Sequence, residues 1–325
     1  MKIVLPIEKK PIIRTYNYLA YVFSILGTNE NSYNWLCNQY IQLIDDGVND
    51  FTFYLQFLDK IDVLSCEKMS CEVIKKLGID YVEYIRISLN NGYYLYTCVD
   101  EYYIPQRLAF QKFHYIHDCL IYGIDEEKKE LYLIGYDTQD LYRASNASFD
   151  QIIQSGFYYS ITSIRKNEKY KSEINLNKIY IDLLRYLNIL PEIQIGDFYY
   201  ESATFGQKTN SLLKQHIYTM CTKQAAIDIR YIFLFYEHKN AMLLRISLLQ
   251  KKLHIDNTLV EKYCELVYRA KRLYTIALKY NLKRNQTFLD NALRDIDYIA
   301  EKEREVLNKI ITTLEEIVVK TETNT

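Results

Sequence analysis

Hydrophobic residues recur at two different periods along the chain, and the change of period divides it. From about 15 to 90 they fall three and four apart, as in YLAYVFSIL (18–26) and YNWLCNQYIQLI (33–44), with the polar links GTNENSYN and DDGVND between. This spacing predicts helices with a few short strands. From about 92 to 163 the segments YYLYTCVD, HDCLIYGID, ELYLIGYD and FYYSITSIR are rich in Tyr, Ile and Leu and are separated by turn chemistry such as GIDEEKKE and YDTQD. They predict four strands of an antiparallel sheet. A helical stretch over about 173–188 and a loop bearing Pro191 and Gly196 lead to a segment that reads as helix from about 208 onward.

Two stripes mark the helical half. Leu259, Tyr263, Leu266, Ala270, Leu273 and Ala277 recur at three or four residues and form one apolar face. Leu289, Leu293, Ile296 and Ala300, then Leu307, Ile310, Leu314 and Ile317, keep a 4-3 spacing with Glu303 in the seam between them. Such stripes predict a helical bundle, the alternative being a coiled coil with a second copy of the chain. The pattern as a whole predicts an α+β fold: an N-terminal domain of helices plus antiparallel sheet over 1–165, a connecting segment over 166–207 and a helical domain over 208–325.

Composition narrows the function classes. The 325 residues, 49% hydrophobic and 25% charged, suffice for two buried cores. The 40 basic and 41 acidic residues are spread along the chain, so neither nucleic acid nor an anionic membrane is an expected partner. The start MKIVLPIEKKPIIRTY is too interrupted for a signal peptide, and no stretch approaches about 18 uncharged apolar residues, which predicts a cytoplasmic protein. Seven cysteines without a CxxC pair fit reduced thiols and predict no metal. Nucleotide-loop, zinc-protease and nucleophile-elbow motifs are missing, and no cofactor is expected.

The segment FHYIHDCLIYGID (113–125) carries the candidate chemistry. His117 opens a strand and is followed by an acid, and Asp137 stands 20 residues later at the end of ELYLIGYD. A hairpin turning at DEEKKE brings His117 and Asp137 to the same open end of the ladder. There an imidazole and a carboxylate form the base and orienter of a cysteine hydrolase, whose thiol stands at a helix start. Asp140 is the substitute orienter. Hairpin geometry alone leaves open a surface histidine beside an ordinary turn.

The stretch 99–137, VDEYYIPQRLAFQKFHYIHDCLIYGIDEEKKELYLIGYD, resembles the His/Asp half of the papain-like proteins of peptide natural-product gene clusters. That group includes the N-terminal domain of butirosin biosynthesis protein H and the amide synthase of closthioamide assembly, and the stretch is similar also to double-glycine peptidases. The resemblance covers roughly 15–165. It implies a papain-like domain, His117 as general base, Asp137 as its orienter, and an acyl or peptidyl carrier protein as partner.

The nucleophile departs from the family pattern, in which the thiol opens a helix of the type E-C-G-L-A-x-L-x-M-I-L-G. Only YNYLAYVFSILG (16–27) has that shape, and Asn17 falls at the cysteine's place with Tyr18 after it. An amide cannot attack as a thiolate does. Among the other thiols, Cys37 reads as buried in a helix, and Cys119 projects from the same face as His117 about 7 Å along the strand. Cys98 ends the preceding strand, Cys66 and Cys71 lie near a helix start, and Cys221 and Cys264 read as core. Two functions of different class follow. One is an acyl or peptidyl transferase, or a thioesterase, acting on carrier-protein thioesters in nonribosomal peptide biosynthesis. The other is a noncatalytic papain-fold homologue serving as a binding or scaffold protein. The helical half is expected to hold no catalytic group and to serve docking, through the basic face of YRAKRLYTIALKYNLKR, or self-association as a homodimer.

Overall fold

A sheet whose strands carry Tyr, Ile and Leu on both faces needs cover on both sides, and the computed structural model supplies it. It describes residues 1–45, 51–53, 61–139, 141–191, 203–285 and 287–322, with the backbone alone for 51–53 and 319–322. Asp140 and Gly196 lie outside the described residues. In chain order the elements begin with β1 (Lys2–Val4), α1 (Asn17–Leu26), α2 (Glu30–Asn38), β2 (Leu43–Asp45), β3 (Phe51–Phe53), β4 (Leu64–Ser70), α3 (Cys71–Lys76) and α4 (Tyr81–Asn90). They continue with β5 (Tyr94–Asp100), β6 (Ile116–Asp125), β7 (Glu130–Tyr136), β8 (Tyr142–Ser148), α5 (Phe149–Ser155), β9 (Tyr158–Lys166) and α6 (Leu176–Tyr186). β10 (Thr204–Phe205), α7 (Thr209–Thr222), α8 (Ile229–Leu253), α9 (Asn257–Lys283) and α10 (Thr287–Glu322) follow. The fold is α+β. Two compact units divide the chain, Met1–Ser32 with Gln56–Ser172 and Tyr33–Leu55 with Glu173–Thr325. The division thus falls at 172, and the stretch 33–55 goes with the later helices.

The first unit is built on an antiparallel sheet in the order β4-β9-β5-β6-β7-β8, with β1 paired to the end of β6. One face is covered by α1, nine of whose ten residues are buried, so that it is a core helix with no solvent stripe. Tyr21 of α1 meets Tyr96 of β5, ring centroids 5.8 Å apart, and Ser24 shares a 2.9 Å hydrogen bond with the Tyr142 hydroxyl of β8. The other face packs Leu95, Val99, Cys119, Ile121 and Leu133 against Ile74 of α3, Ile85 and Leu89 of α4 and Ile152 of α5. Gly123 sits where β1, β6 and β7 converge; a Cβ there would stand 2.8 Å from the Tyr132 ring and 2.9 Å from the Ile3 carbonyl oxygen. The four expected strands are present as β5, β6, β7 and β9. β4, LSCEKMS, falls in the stretch where a few short strands are expected among helices, whereas β8, YRASNAS, is not expected, because it carries few large apolar residues.

The second unit is helical in its described residues from Thr209 onward, as expected, and it also draws in earlier parts of the chain. Its core joins Cys37 and Ile41 to α6, α8, α9 and α10, and it contains a small antiparallel sheet β10-β2-β3. The run 33–44, expected as one helix, ends its helix at Asn38 and turns through Tyr40, φ 55°, into β2. The α9 stripe is buried as expected, whereas Cys264, expected in the core, is exposed one position off it. In α10 Ile296 is buried as expected, but the rest of the buried face in the first half runs one residue off the expected register, through Phe288, Ala292 and Ile299, while Leu289, Leu293 and Ala300 are half-buried. Spaced three and four, that face passes directly through Glu303 to Leu307, Ile310 and Leu314.

Candidate functional site

The sheet register assembles the site at the end of β5 and the beginning of β6. His117 pairs with Val99 and Asp118 with Cys98, and the ladder ends at Asp100 opposite Ile116. A 3-10 turn, Glu101–Tyr103, then bends away, but the Glu101 amide still donates to the Tyr115 carbonyl at 2.9 Å. That last bond holds Glu101 beside β6. Its Oε1 lies 2.9 Å from His117 Nδ1, while the Tyr115 ring stacks on the imidazole at 5.0 Å. On the other ring edge, Nε2 is 3.4 Å from Asp118 Oδ1, a distance of ionic attraction beyond a good hydrogen bond.

Asn17 meets this cluster from the first residue of α1. The extended Tyr16 precedes it, and the helix begins as the Leu19 and Ala20 amides donate to the Tyr16 carbonyl. Buried Asn17 donates through Nδ2 to Asp118 Oδ1 at 2.8 Å, and the Tyr21 hydroxyl one turn on donates to the Asp118 carbonyl at 3.2 Å. A chain of contacts therefore runs Asn17–Asp118–His117–Glu101. The flanking acid Asp100 pairs with His114 at 2.6 Å, and His114 stacks on Tyr102. Arg107, 3% exposed, donates through Nη1 to the Tyr136 carbonyl. Gly135 makes room for it, since a Cβ there would stand 2.7 Å from Nη1.

Asp137 does not orient His117. Its Oδ1 accepts from the Gln139 and Leu141 amides at 2.8 and 3.1 Å, and its Oδ2 pairs with Arg143 Nε at 2.7 Å. The carboxylate is spent on closing the β7–β8 turn, and Glu101 occupies the place the sequence assigned to Asp137. His117 and Asn17 are brought together, through Asp118. Glu101, Asp118 and Arg107 were not singled out by the sequence. The acid next to His117 was visible as a dipeptide, Glu101 needed the β5–β6 register, and Arg107 left no pattern.

Electrostatics follow from burial. The Glu101 and Asp118 side chains are 8% and 13% exposed, whereas that of His117 is 36% exposed, so two largely buried acids flank the two nitrogens of a half-buried imidazole. Burial pushes the His117 pKa down, but the hydrogen bond that the ring donates to Glu101 and the charges of Asp118 and Glu101 outweigh it and leave the pKa raised, with Arg107 opposing. Asp118 is raised chiefly by its own burial, against the charge of His117 and the hydrogen bond from Asn17. Three of the thiols are held in the neutral form by burial. Burial pushes Cys98 up to about 11, with Asp118 adding to it, and Cys119 to about 12. Cys37 in the second unit is likewise pushed to about 11 by burial. Among the described residues no thiol is hydrogen-bonded to His117.

The arrangement can hold and return a proton at His117, with the Nδ1 edge fixed by Glu101, and it lacks a nucleophile at the helix start that faces it. Among the described residues no group of three or more His, Cys, Asp or Glu side chains is placed to hold a metal ion, and no helix is long and apolar enough to cross a membrane. No protein-family model matches the chain, and no curated protein matches it.

Proposed function

We propose that the chain is a noncatalytic papain-like homologue of the thioester-processing proteins of peptide natural-product assembly, binding an acyl or peptidyl carrier protein without forming an acyl-enzyme. The observation that carries this reading is the 2.8 Å hydrogen bond from Asn17 to Asp118 at the nucleophile's position. A thiol there would need a nearby cation to become a thiolate, and a carboxylate beside it works against that.

A second reading is favoured by the 2.9 Å contact of His117 with buried Glu101. It is an acyl or peptidyl transferase in which an incoming amine attacks the carrier thioester directly, His117 takes the amine's proton, and the C–S bond breaks as that proton passes to the departing carrier thiolate. The two readings part in one experiment. The full chain is mixed with an acyl-loaded carrier protein and an amine acceptor, and binding, intact protein mass and remaining thioester are followed. The binding reading expects a saturable complex, unchanged protein mass and thioester loss at the uncatalysed rate. Thioester consumption that disappears in His117→Ala overturns it in favour of the transferase. Failure of the carrier to bind sinks both.

A further inference from the structure

At the opposite end of β5 from His117, the first unit holds a second polar site. β5 begins at Tyr94, opposite Ile164 of β9, whereas β9 runs on to Lys166 with only β4 beside it, Ser65 facing Arg165 and Leu64 facing Lys166. The overhang leaves a notch, closed by the turn at Asn91 and Gly92 and by Leu5 and Pro6, with a cavity of about 610 Å³. Six steps of about 3.3 Å along the strand put it roughly 20 Å from the Asp100 end.

The charges of this notch are unbalanced. Arg165, Lys166 and Lys169 line it against the single carboxylate of Glu168. Among the described residues no carboxylate is ion-paired with any of the three cations, and Arg165 lies over the Tyr93 ring at 4.7 Å. Lys166 is exposed as a residue, yet burial at its ammonium pulls its pKa below the usual lysine range. A cation removed from water without an acid beside it is a cost that a bound anion relieves.

We propose that this notch binds an organic phosphate, its phosphoryl oxygens between Arg165, Lys166 and Lys169 and its organic body against Tyr94, Leu5 and Pro6. A dianion matches three cations offset by one carboxylate, and guanidinium and ammonium groups are the usual donors to phosphate oxygens. The Ser65 hydroxyl in the same wall supplies a neutral donor. The volume far exceeds a bare phosphate and falls in the range of small-molecule sites, which is why an ester is favoured over the free ion.

Calorimetric titration of the full chain with phenyl phosphate, inorganic phosphate, benzoate and phenol tests this. Phenyl phosphate is expected to bind saturably and more tightly than the other three, with an affinity that falls as salt is added. Arg165→Gln/Lys166→Gln is expected to weaken it by at least about tenfold. Lys169→Glu, at an exposed position, is expected to weaken it too, and keeps the test open should the double variant fold poorly. Benzoate binding as tightly as phenyl phosphate overturns the phosphate assignment, and inorganic phosphate doing so overturns the organic body. Parent affinity in the folded variants overturns the site itself.

Discussion

At His117 two opposed effects meet, and their balance sets a pH dependence. Its folded pKa lies above the unfolded value of about 6.5. The stabilisation from Glu101 and Asp118 is therefore fully present below pH 6.5 and is lost as pH rises through the folded value. Urea midpoints of the parent and of His117→Gln should show the parent ahead at about pH 6 and the gap narrowing toward pH 9; a gap that widens over that range contradicts the assignment. Asp118 makes a second prediction. Alkylation of Asn17→Cys near neutral pH should be slow and should accelerate several-fold in Asn17→Cys/Asp118→Ala, because the carboxylate that accepts from Asn17 at 2.8 Å would disfavour a thiolate there. Equal rates in the two variants, read by intact mass, would remove Asp118 from the argument. Residue-level chemistry was half legible in the sequence. His117 and Asn17 stand where their strand and helix starts put them, but a carboxylate's partner depends on which turn it must also close, and Asp137 serves the turn.

Among the elements, α10 shows what one polar residue in an apolar seam means. Glu303 is fully buried and meets Lys239 of α8 at 2.8 Å, with the Tyr186 and Tyr263 hydroxyls donating to the same carboxylate. Burial pulls Lys239 down, against the pull of Glu303. Lys239→Met strands a buried carboxylate and should cost about 3–5 kcal/mol in urea unfolding. Adding Glu303→Leu should recover most of that loss. Full additivity of the two substitutions would show that the pair is not coupled. The long helices were legible because one apolar face repeats along each of them. The shift of register in α10 was not, since Leu289 and Leu293 are as apolar as Phe288 and Ala292 and only neighbouring helices choose between them. β8 pairs along all of β7 with a sequence of small and polar residues, which carries no strand period of its own.

At the scale of the whole chain, the basic face expected for docking is smaller than its sequence suggested. Arg269 and Arg272 both pair with Asp295, whose side chain is 4% exposed, whereas Lys271, Lys279 and Lys283 are exposed. Lys271→Glu/Lys279→Glu/Lys283→Glu should thus weaken carrier-protein binding in a salt-dependent way with the urea midpoint unchanged. Arg272→Glu should instead lower stability by about 1–3 kcal/mol. Affinity at low salt that ignores the lysine reversals would leave these helices to architecture alone. The allotment of 33–55 to the second unit bears on how the protein is made. Arg245 donates to the carbonyls of Leu36, Cys37 and Gln39, and His238 shares a 2.8 Å hydrogen bond with that of Ile41. On the ribosome those carbonyls, with the apolar Cys37 and Ile41, must wait for some two hundred further residues before their partners emerge. A nascent chain halted near 172 holds every strand of the larger sheet together with Cys37 and Ile41 still without their helices, and exposed apolar surface of that kind is what chaperones bind and what aggregates when they are withheld.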